Sequence, residues 1–398
     1  MAVAGIVAEY NPFHLGHAYH LSQTRTALGR DGAVVCVMSG HWVQRGECAA
    51  ADKWTRSALA LGGGADLVLE LSTPWAMASA EAFARGAVGL LEATGVVDIL
   101  AFGSEDGSLE TLRQAADALD APGYPAPLRE ALSRGLSFPA ARQAAAGCPC
   151  LSSPNNNLGV EYLRALRALG SGMTPMTVAR RGAGHDSAEH TEGFASASHI
   201  RALLREGRRE EATTLLPEGS LEALGQPASL LWAERAVLAR LRTMEEDDWA
   251  ALPDGGGAEG LPARLVRAAR QACSLEEFYT LAKTRRYTHA RLRRLAVGAF
   301  LGLKQEDRQL AVPYVRVLGL NERGQALLKR MKGTCALPLL TKPAQARALD
   351  GPARRLFEAE SRYTDLYALC FPTLKPCGLE YTTSPVFSAA AGGGAPQR

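Results

Sequence analysis

No apolar run in this sequence approaches the roughly 18 residues of a membrane-spanning helix, and no basic, apolar, small-residue leader precedes its first strand-like run. A soluble cytoplasmic protein that makes no membrane contact is the expectation. The chain also lacks a Gly-x-x-x-x-Gly-Lys-Ser/Thr segment, and no Gly-x-Gly-x-x-Gly follows its first strand, so two common routes to phosphate binding are excluded. Its eight cysteines are scattered rather than dense, which reads as reduced thiols and not a disulfide framework. Only Cys148-Pro-Cys150 is close-spaced, and no second pair completes a zinc set. With a net charge of +3, bulk charge identifies no partner, and any nucleic-acid argument must come from local distribution.

What is present is an ordinary globular balance, 47% apolar in 398 residues. That length exceeds the ~250–300 residues over which one core usually extends, so two domains are expected. The first stretch, from Val3 to His20, holds an apolar run ending near Glu9, turn chemistry at Asn11-Pro12, and a periodic segment from His17. The order is strand, loop, helix. His14-Leu-Gly16-His17 falls where the helix begins, so two imidazoles and unpaired backbone N–H groups share one small volume suited to a phosphate.

Strand candidates recur at 33–40, 66–71, 97–102 and 176–179, and helical segments separate them, which predicts parallel βαβ units. In such sheets ligands sit beyond the carboxyl ends of the strands, where the strand order reverses. His14, the 39–45 loop and Gly103 all follow strand ends. Ser153 to Asn157 reads as a turn and cap opening a helix, with a helix cap as the default role of Asn155. Arg180 and Arg181 follow the last strand, and Ser198 and Arg201 lie at a capped helix start, where both could contact anions. A zinc reading of His14, His17 and His20 fails on geometry, because His14 precedes the helix and its spacing to the others is broken.

The expected fold class is α/β: a Rossmann-like parallel-sheet domain over 1–205, an α-helical C-terminal domain over 206–385, and a disordered tail over 386–398. Beyond residue 206 strand signals nearly vanish. Between 261 and 304 basic residues far outnumber Glu276 and Glu277, and Lys283, Arg285, Arg286, Tyr287, Arg291, Arg293 and Arg294 form the mixture of phosphate-binding and base-stacking side chains that an RNA-binding face uses.

The phrases 5–17 (Gly-Ile-Val-Ala-Glu-Tyr-Asn-Pro-Phe-His-Leu-Gly-His), 38–46 (Met-Ser-Gly-His-Trp-Val-Gln-Arg-Gly), 102–105 (Phe-Gly-Ser-Glu), 154–159 (Pro-Asn-Asn-Asn-Leu-Gly) and 283–288 (Lys-Thr-Arg-Arg-Tyr-Thr) together resemble the bacterial tRNA(Met) cytidine acetate ligases, within the HxGH nucleotidyltransferase superfamily. Asn157, where an apolar residue is expected, departs from the pattern. The resemblance implies that ATP and acetate give acetyl-adenylate, and that the acetyl group then passes to N4 of the wobble cytidine of elongator tRNA(Met). It implies His14 and His17 as catalytic residues and an ATP site of Val7, Ala8, Glu9, Tyr10, Asn11, Pro12, Phe13, His14, Leu15, Gly16, His17, Ala18, Tyr19, His20, Gly103, Asn155, Arg180 and Arg181, with Ser198 and Arg201 on the phosphate tail. Mg²⁺ is expected with the polyphosphate, and no protein-held metal is. Two alternatives stay open: a nucleotidyltransferase that adenylylates a small phosphorylated metabolite, and a non-catalytic RNA-binding protein.

Overall fold

The computed structural model describes residues 1–180, 194–256, 260–308 and 311–388. Ten strands are present among them: β1 (Val3–Ala8), β2 (Ala33–Ser39), β3 (Trp42–Val43), β4 (Glu47–Cys48), β5 (Leu67–Leu71), β6 (Ile99–Ser104), β7 (Thr174–Ala179), β8 (Val315–Leu320), β9 (Leu339–Leu340) and β10 (Val386–Phe387). The main sheet runs β10-β8-β5-β2-β1-β6-β7, with β9 paired to β8, while β3 and β4 form a separate hairpin. The pairings β5-β2-β1-β6-β7 are parallel, and β8 meets β5 antiparallel. Every residue of β2 and β5 is buried, as near-continuous apolar runs covered on both faces require.

From β1 the chain builds outward to β2 and β5 on one side and to β6 and β7 on the other, so the order reverses between β1 and β6. One face packs under the helices Ala80–Ala93 and Pro154–Leu169 through Val35, Val37, Phe102 and Leu163. The opposite face packs against the helices Leu15–Leu28 and Lys53–Gly62 through Ile6, Cys36, Val68 and Leu61. A second core around Trp249, Phe278, Leu292 and Tyr363 belongs to the helical region. Trp42 of the small hairpin is buried in it, and its indole N–H donates to the Tyr363 carbonyl at 3.0 Å.

The region after 206 is mainly helical, as expected, but it is not separate from the sheet, because its strand β8 completes the sheet beside β5. Its signal was hidden by Arg316, a charge in the middle of an apolar run, which is buried and paired with Glu380 at 3.3 Å. Nor does disorder begin at 386, since Val386 and Phe387 pair with Gly319 and Leu320. The rest of the tail, 389–398, lies outside the described residues.

The late segments are also fastened by buried charge. Lys53 Nζ donates to both oxygens of Glu70, at 2.6 and 2.8 Å, and to Glu380. Thr364 Oγ1 donates to Glu380 at 2.7 Å and lies 3.1 Å from His41 Nδ1. Glu360 accepts from the backbone N–H and the hydroxyl of Thr73, and burial, with Glu70 nearby, pushes its carboxyl up to about 8. Among the described residues no helix is long and apolar enough to cross a membrane.

A candidate nucleotide site at the strand ends

β1 leads into a tight turn in which Tyr10 takes a left-handed conformation (φ 48°) and the Asn11-Pro12 bond is cis. The strained φ is held because the Tyr10 ring is buried edge-on against Phe13, at 5.0 Å, and His17, at 4.9 Å. His14 then caps the helix Leu15–Leu28. Its Nδ1 accepts the Gly16 N–H at 3.0 Å, and its own N–H donates to His17 Nδ1 at 3.3 Å. Two imidazoles thus play the parts that Ser and Glu take in an ordinary capping box. The rings stack with centroids 3.8 Å apart.

Because both Nδ1 atoms accept, each neutral ring carries its proton on Nε2. Burial keeps His17 neutral well below the usual imidazole range, and the neighbouring His14, Arg180 and His20 push the same way. His20 is lowered to about 4 by burial and Arg180. The motif therefore offers neutral N–H donors at a positive helix end.

The second half of the site arrives from β6 and β7. Arg180 follows β7, and its N–H donates to the Ser104 carbonyl at 3.0 Å. Its side chain passes over Gly103, where an added Cβ would meet Arg180 Cγ at 3.4 Å, and Nη1 reaches Asn155 Oδ1 at 3.5 Å. Asn155 is not the helix cap: Ser153 holds that position. The free N–H groups at this helix start are satisfied by Glu105, which accepts from Asn155 at 3.2 Å and Asn156 at 2.8 Å, while Asn155 Nδ2 donates to it at 2.7 Å.

His14, Gly16, His17, Tyr19, His20, Gly103 and Arg180 line one pocket together with Val178, Ala179, Phe194 and Ala195. Sequence reasoning missed the last four; Phe194, whose ring meets Tyr19 edge-on at 5.8 Å, had no local signal. Other expected ATP contacts stand outside this lining. Tyr10 and Phe13 support the His17 ring, and Asn11 Oδ1 accepts from the Ala50 N–H at 2.7 Å. The Leu15 N–H donates to Leu215, at 3.2 Å. Val7, Ala8, Glu9, Pro12 and Ala18 do not face the pocket either. Arg201 binds the Asn11 carbonyl at 2.7 Å, Ser198 Oγ at 3.3 Å and Glu47 at 3.5 Å, so with Ser198 it braces the turn from behind. Arg181 lies outside the described residues.

The basic stretch divides. Arg291 donates to the Asp254 carbonyl at 2.8 and 3.2 Å, Arg293 pairs with Glu47 at 2.6 Å, and Arg294 lies 3.5 Å from the Gln44 carbonyl and 3.7 Å from Asp254. These three clamp the hairpin and its neighbours to the helix His289–Leu301. Gly46 allows the clamp: a Cβ there would stand 2.4 Å from the Arg294 nitrogen. The expectation that Tyr287 stacks on a base is corrected, because its ring is buried in the helical core with Arg291 over it at 5.4 Å. Arg285 and Arg286 are exposed and Lys283 is half-buried.

A sheet with its switch point beside paired imidazoles at a helix start defines the class: a nucleotide-handling α/β protein of the HIGH type. The family model for HIGH Nucleotidyl Transferase matches residues 1–380. The chain is 37% identical to the tRNA(Met) cytidine acetate ligase of Acetivibrio thermocellus, over 96% of this chain and 99% of that one. It is 37% identical to the protein of that name from Caldanaerobacter subterraneus subsp. tengcongensis, over 96% and 98%. The chain belongs to the tRNA(Met) cytidine acetate ligase family of HIGH nucleotidyl transferases. Crystal structures of Thermotoga maritima TmcAL share the whole fold: the apo form at TM-score 0.92 and 34% identity, and a form bound with alpha-thio ATP at 0.90 and 33%, each covering 98% of this chain and 100% of that one.

Proposed function

We propose that this protein is itself a tRNA(Met) cytidine acetate ligase, joining ATP and acetate to acetyl-adenylate with release of pyrophosphate and then acetylating N4 of the wobble cytidine of elongator tRNA(Met). The observation that carries the reading is the stacked, neutral His14–His17 pair at a helix N-terminus, sharing one pocket with Gly103 and Arg180. Acetate is an anion at neutral pH, so its attack on the α-phosphate needs alignment and charge stabilisation rather than a base. Nε2–H of each histidine, the helix start and the Arg180 guanidinium supply that charge stabilisation to the departing pyrophosphate. Gly103, with no Cβ, lets the Arg180 side chain lie over the strand end, where we take its guanidinium to meet the phosphates.

The pocket lining contains no carboxylate, and among the described residues no group of three metal-binding side chains is gathered. Magnesium fits as a passenger on the polyphosphate, entering with ATP as substrate. Lys283, Arg285 and Arg286 are the members of the basic stretch that we assign to tRNA, in the helical region we take as the tRNA-binding part, and from action on tRNA we infer a cytoplasmic protein.

The test mixes the protein with ATP, labelled acetate and tRNA(Met). Acetate-dependent ATP–pyrophosphate exchange and labelled N4-acetylcytidine are expected, with His17→Ala losing exchange at least 100-fold while tRNA binding persists. Adenylylation of a phosphorylated metabolite instead, or tRNA binding without turnover, overturns the reading.

A further inference from the structure

Acetyl transfer to a nucleobase amine, the reading on which this inference rests, has a proton to remove that adenylation lacks. Acetate attacks as an anion, whereas N4 of cytidine must lose a proton as its bond to the acetyl carbon forms. The pocket histidines are held as Nε2–H donors with both Nδ1 atoms engaged, so an acceptor for that proton is needed elsewhere.

Glu9 is the first residue past β1, beside the switch point. Along β1, Ile6 and Ala8 pack toward the helix Leu15–Leu28, and Val7 packs on the opposite face. Alternation carries Glu9 to the Val7 face. Its charge is accordingly felt by Tyr162, from the helix Pro154–Leu169 that covers this face. The nucleotide pocket and Glu9 therefore flank the same strand end from opposite sides. The register Ala8–Met38, continued by one residue, sets Glu9 beside Ser39, whose buried hydroxyl has no hydrogen-bond partner among the described residues.

The carboxylate is held but not consumed. Among the described residues it accepts one hydrogen bond, from the Gln44 N–H to Oε1 at 2.8 Å, and the Glu9 carbonyl is pinned by Arg56 at 2.6 Å. Arg45, Arg201, Glu47, Arg56 and Tyr162 are the charged and titratable groups facing it; burial outweighs the two nearby guanidinium groups of Arg45 and Arg201 and raises its carboxyl above the ordinary value.

We propose that Glu9 is the catalytic proton acceptor of the transfer step, with N4 of the cytidine meeting the acetyl group from the Glu9 side of the strand end. The N4 nitrogen bonds to the acetyl carbon, the bond from that carbon to the adenylate oxygen breaks with its electron pair leaving on AMP, and the N4 proton passes to Glu9. Adenylation uses no such acceptor.

Glu9→Gln tests this, because the amide oxygen keeps the bond from Gln44. In the full chain, acetate-dependent ATP–pyrophosphate exchange is compared with single-turnover transfer from synthetic acetyl-adenylate to tRNA(Met) across a pH series. The expected result is a transfer-to-exchange ratio about 100-fold lower than wild type, loss of any rise of transfer with pH, and partial recovery in Glu9→Asp. An unchanged ratio, or a parallel loss of both steps, overturns the role of Glu9 alone. Exchange without any transfer by the wild-type protein overturns the ligase reading, and this inference with it.

Discussion

Gly16 lies directly against the ring of His14: a Cβ at Gly16 would stand 2.9 Å from His14 Cε1 and 3.0 Å from Nδ1, the atom that accepts the Gly16 N–H. The glycine of the motif is thus required by the histidine before it. Gly16→Ala must push the imidazole off its cap. Loss of the cap costs about 1 kcal/mol of stability, and a displaced Nε2–H should lower acetate-dependent exchange about tenfold or more. Thermal unfolding and exchange kinetics on the same preparation check both, and a variant that exchanges at the wild-type rate would show that the ring position is not used.

Acid should weaken the fold through the same motif. His20 is lowered from the ordinary 6.5 to about 4 by burial and Arg180, so between those values the unfolded chain binds a proton that the folded chain refuses. Stability is full above about pH 6.5 and falls as pH drops toward 4, by about 2 kcal/mol between pH 6.5 and 5 for this one group. His20→Gln should lose that much less over the interval in urea unfolding. Equal pH slopes for the two proteins would contradict the assignment.

Arginines in the basic stretch should separate into two kinds. Arg285→Ala with Arg286→Ala is expected to weaken tRNA binding and to flatten the salt dependence by one to two counterions, roughly 0.7–0.9 each. Arg294→Ala should do the reverse. Its guanidinium reaches Gln44 and Asp254 and is held down to about 10 by burial, so its loss should cost about 1–3 kcal/mol and loosen the hairpin. Filter binding at several salt concentrations and thermal unfolding distinguish these patterns.

Lys53 holds two carboxylates that face no water. Lys53→Met removes the cation from Glu70 and Glu380 together, and stranding buried carboxylates typically costs about 3–5 kcal/mol. A loss below about 1 kcal/mol in denaturant titration would mean that Arg316, at 3.3 Å from Glu380, suffices.

What the sequence revealed was whatever depends on neighbours in the chain. The unit from Val3 to His20 is local: apolar run, turn residues and cap lie within one short span, so its strand, loop and helix could be read directly. The tRNA-ligase motifs were legible as phrases for the same reason. The partnership of Glu105 with Asn155 and Asn156, the antiparallel seat of β8 beside β5, and the packing of Phe194 against Tyr19 depend on contacts between distant segments, which periodicity does not encode. The arginines after residue 290 illustrate a further limit. Composition counts charges, but Arg291, Arg293 and Arg294 point at protein carbonyls and carboxylates, and only the fold distinguishes an inward guanidinium from an outward one.

The seat of β8 has a consequence for how the polypeptide can be divided. β5 gains its outer neighbour only when residues after 314 arrive, and Glu70 on that strand gains Lys53 in company with Glu380. A fragment stopping at residue 205 would present β5 as a bare row of backbone donors and acceptors, with Lys53 and Glu70 deprived of Glu380 and Arg316, and bare strand edges recruit other chains. During synthesis the same edge waits until most of the polypeptide has left the ribosome. The nucleotide-binding half is therefore finished by the last part of the protein to be made, and expressing it alone should yield aggregate rather than a working ATP-binding fragment.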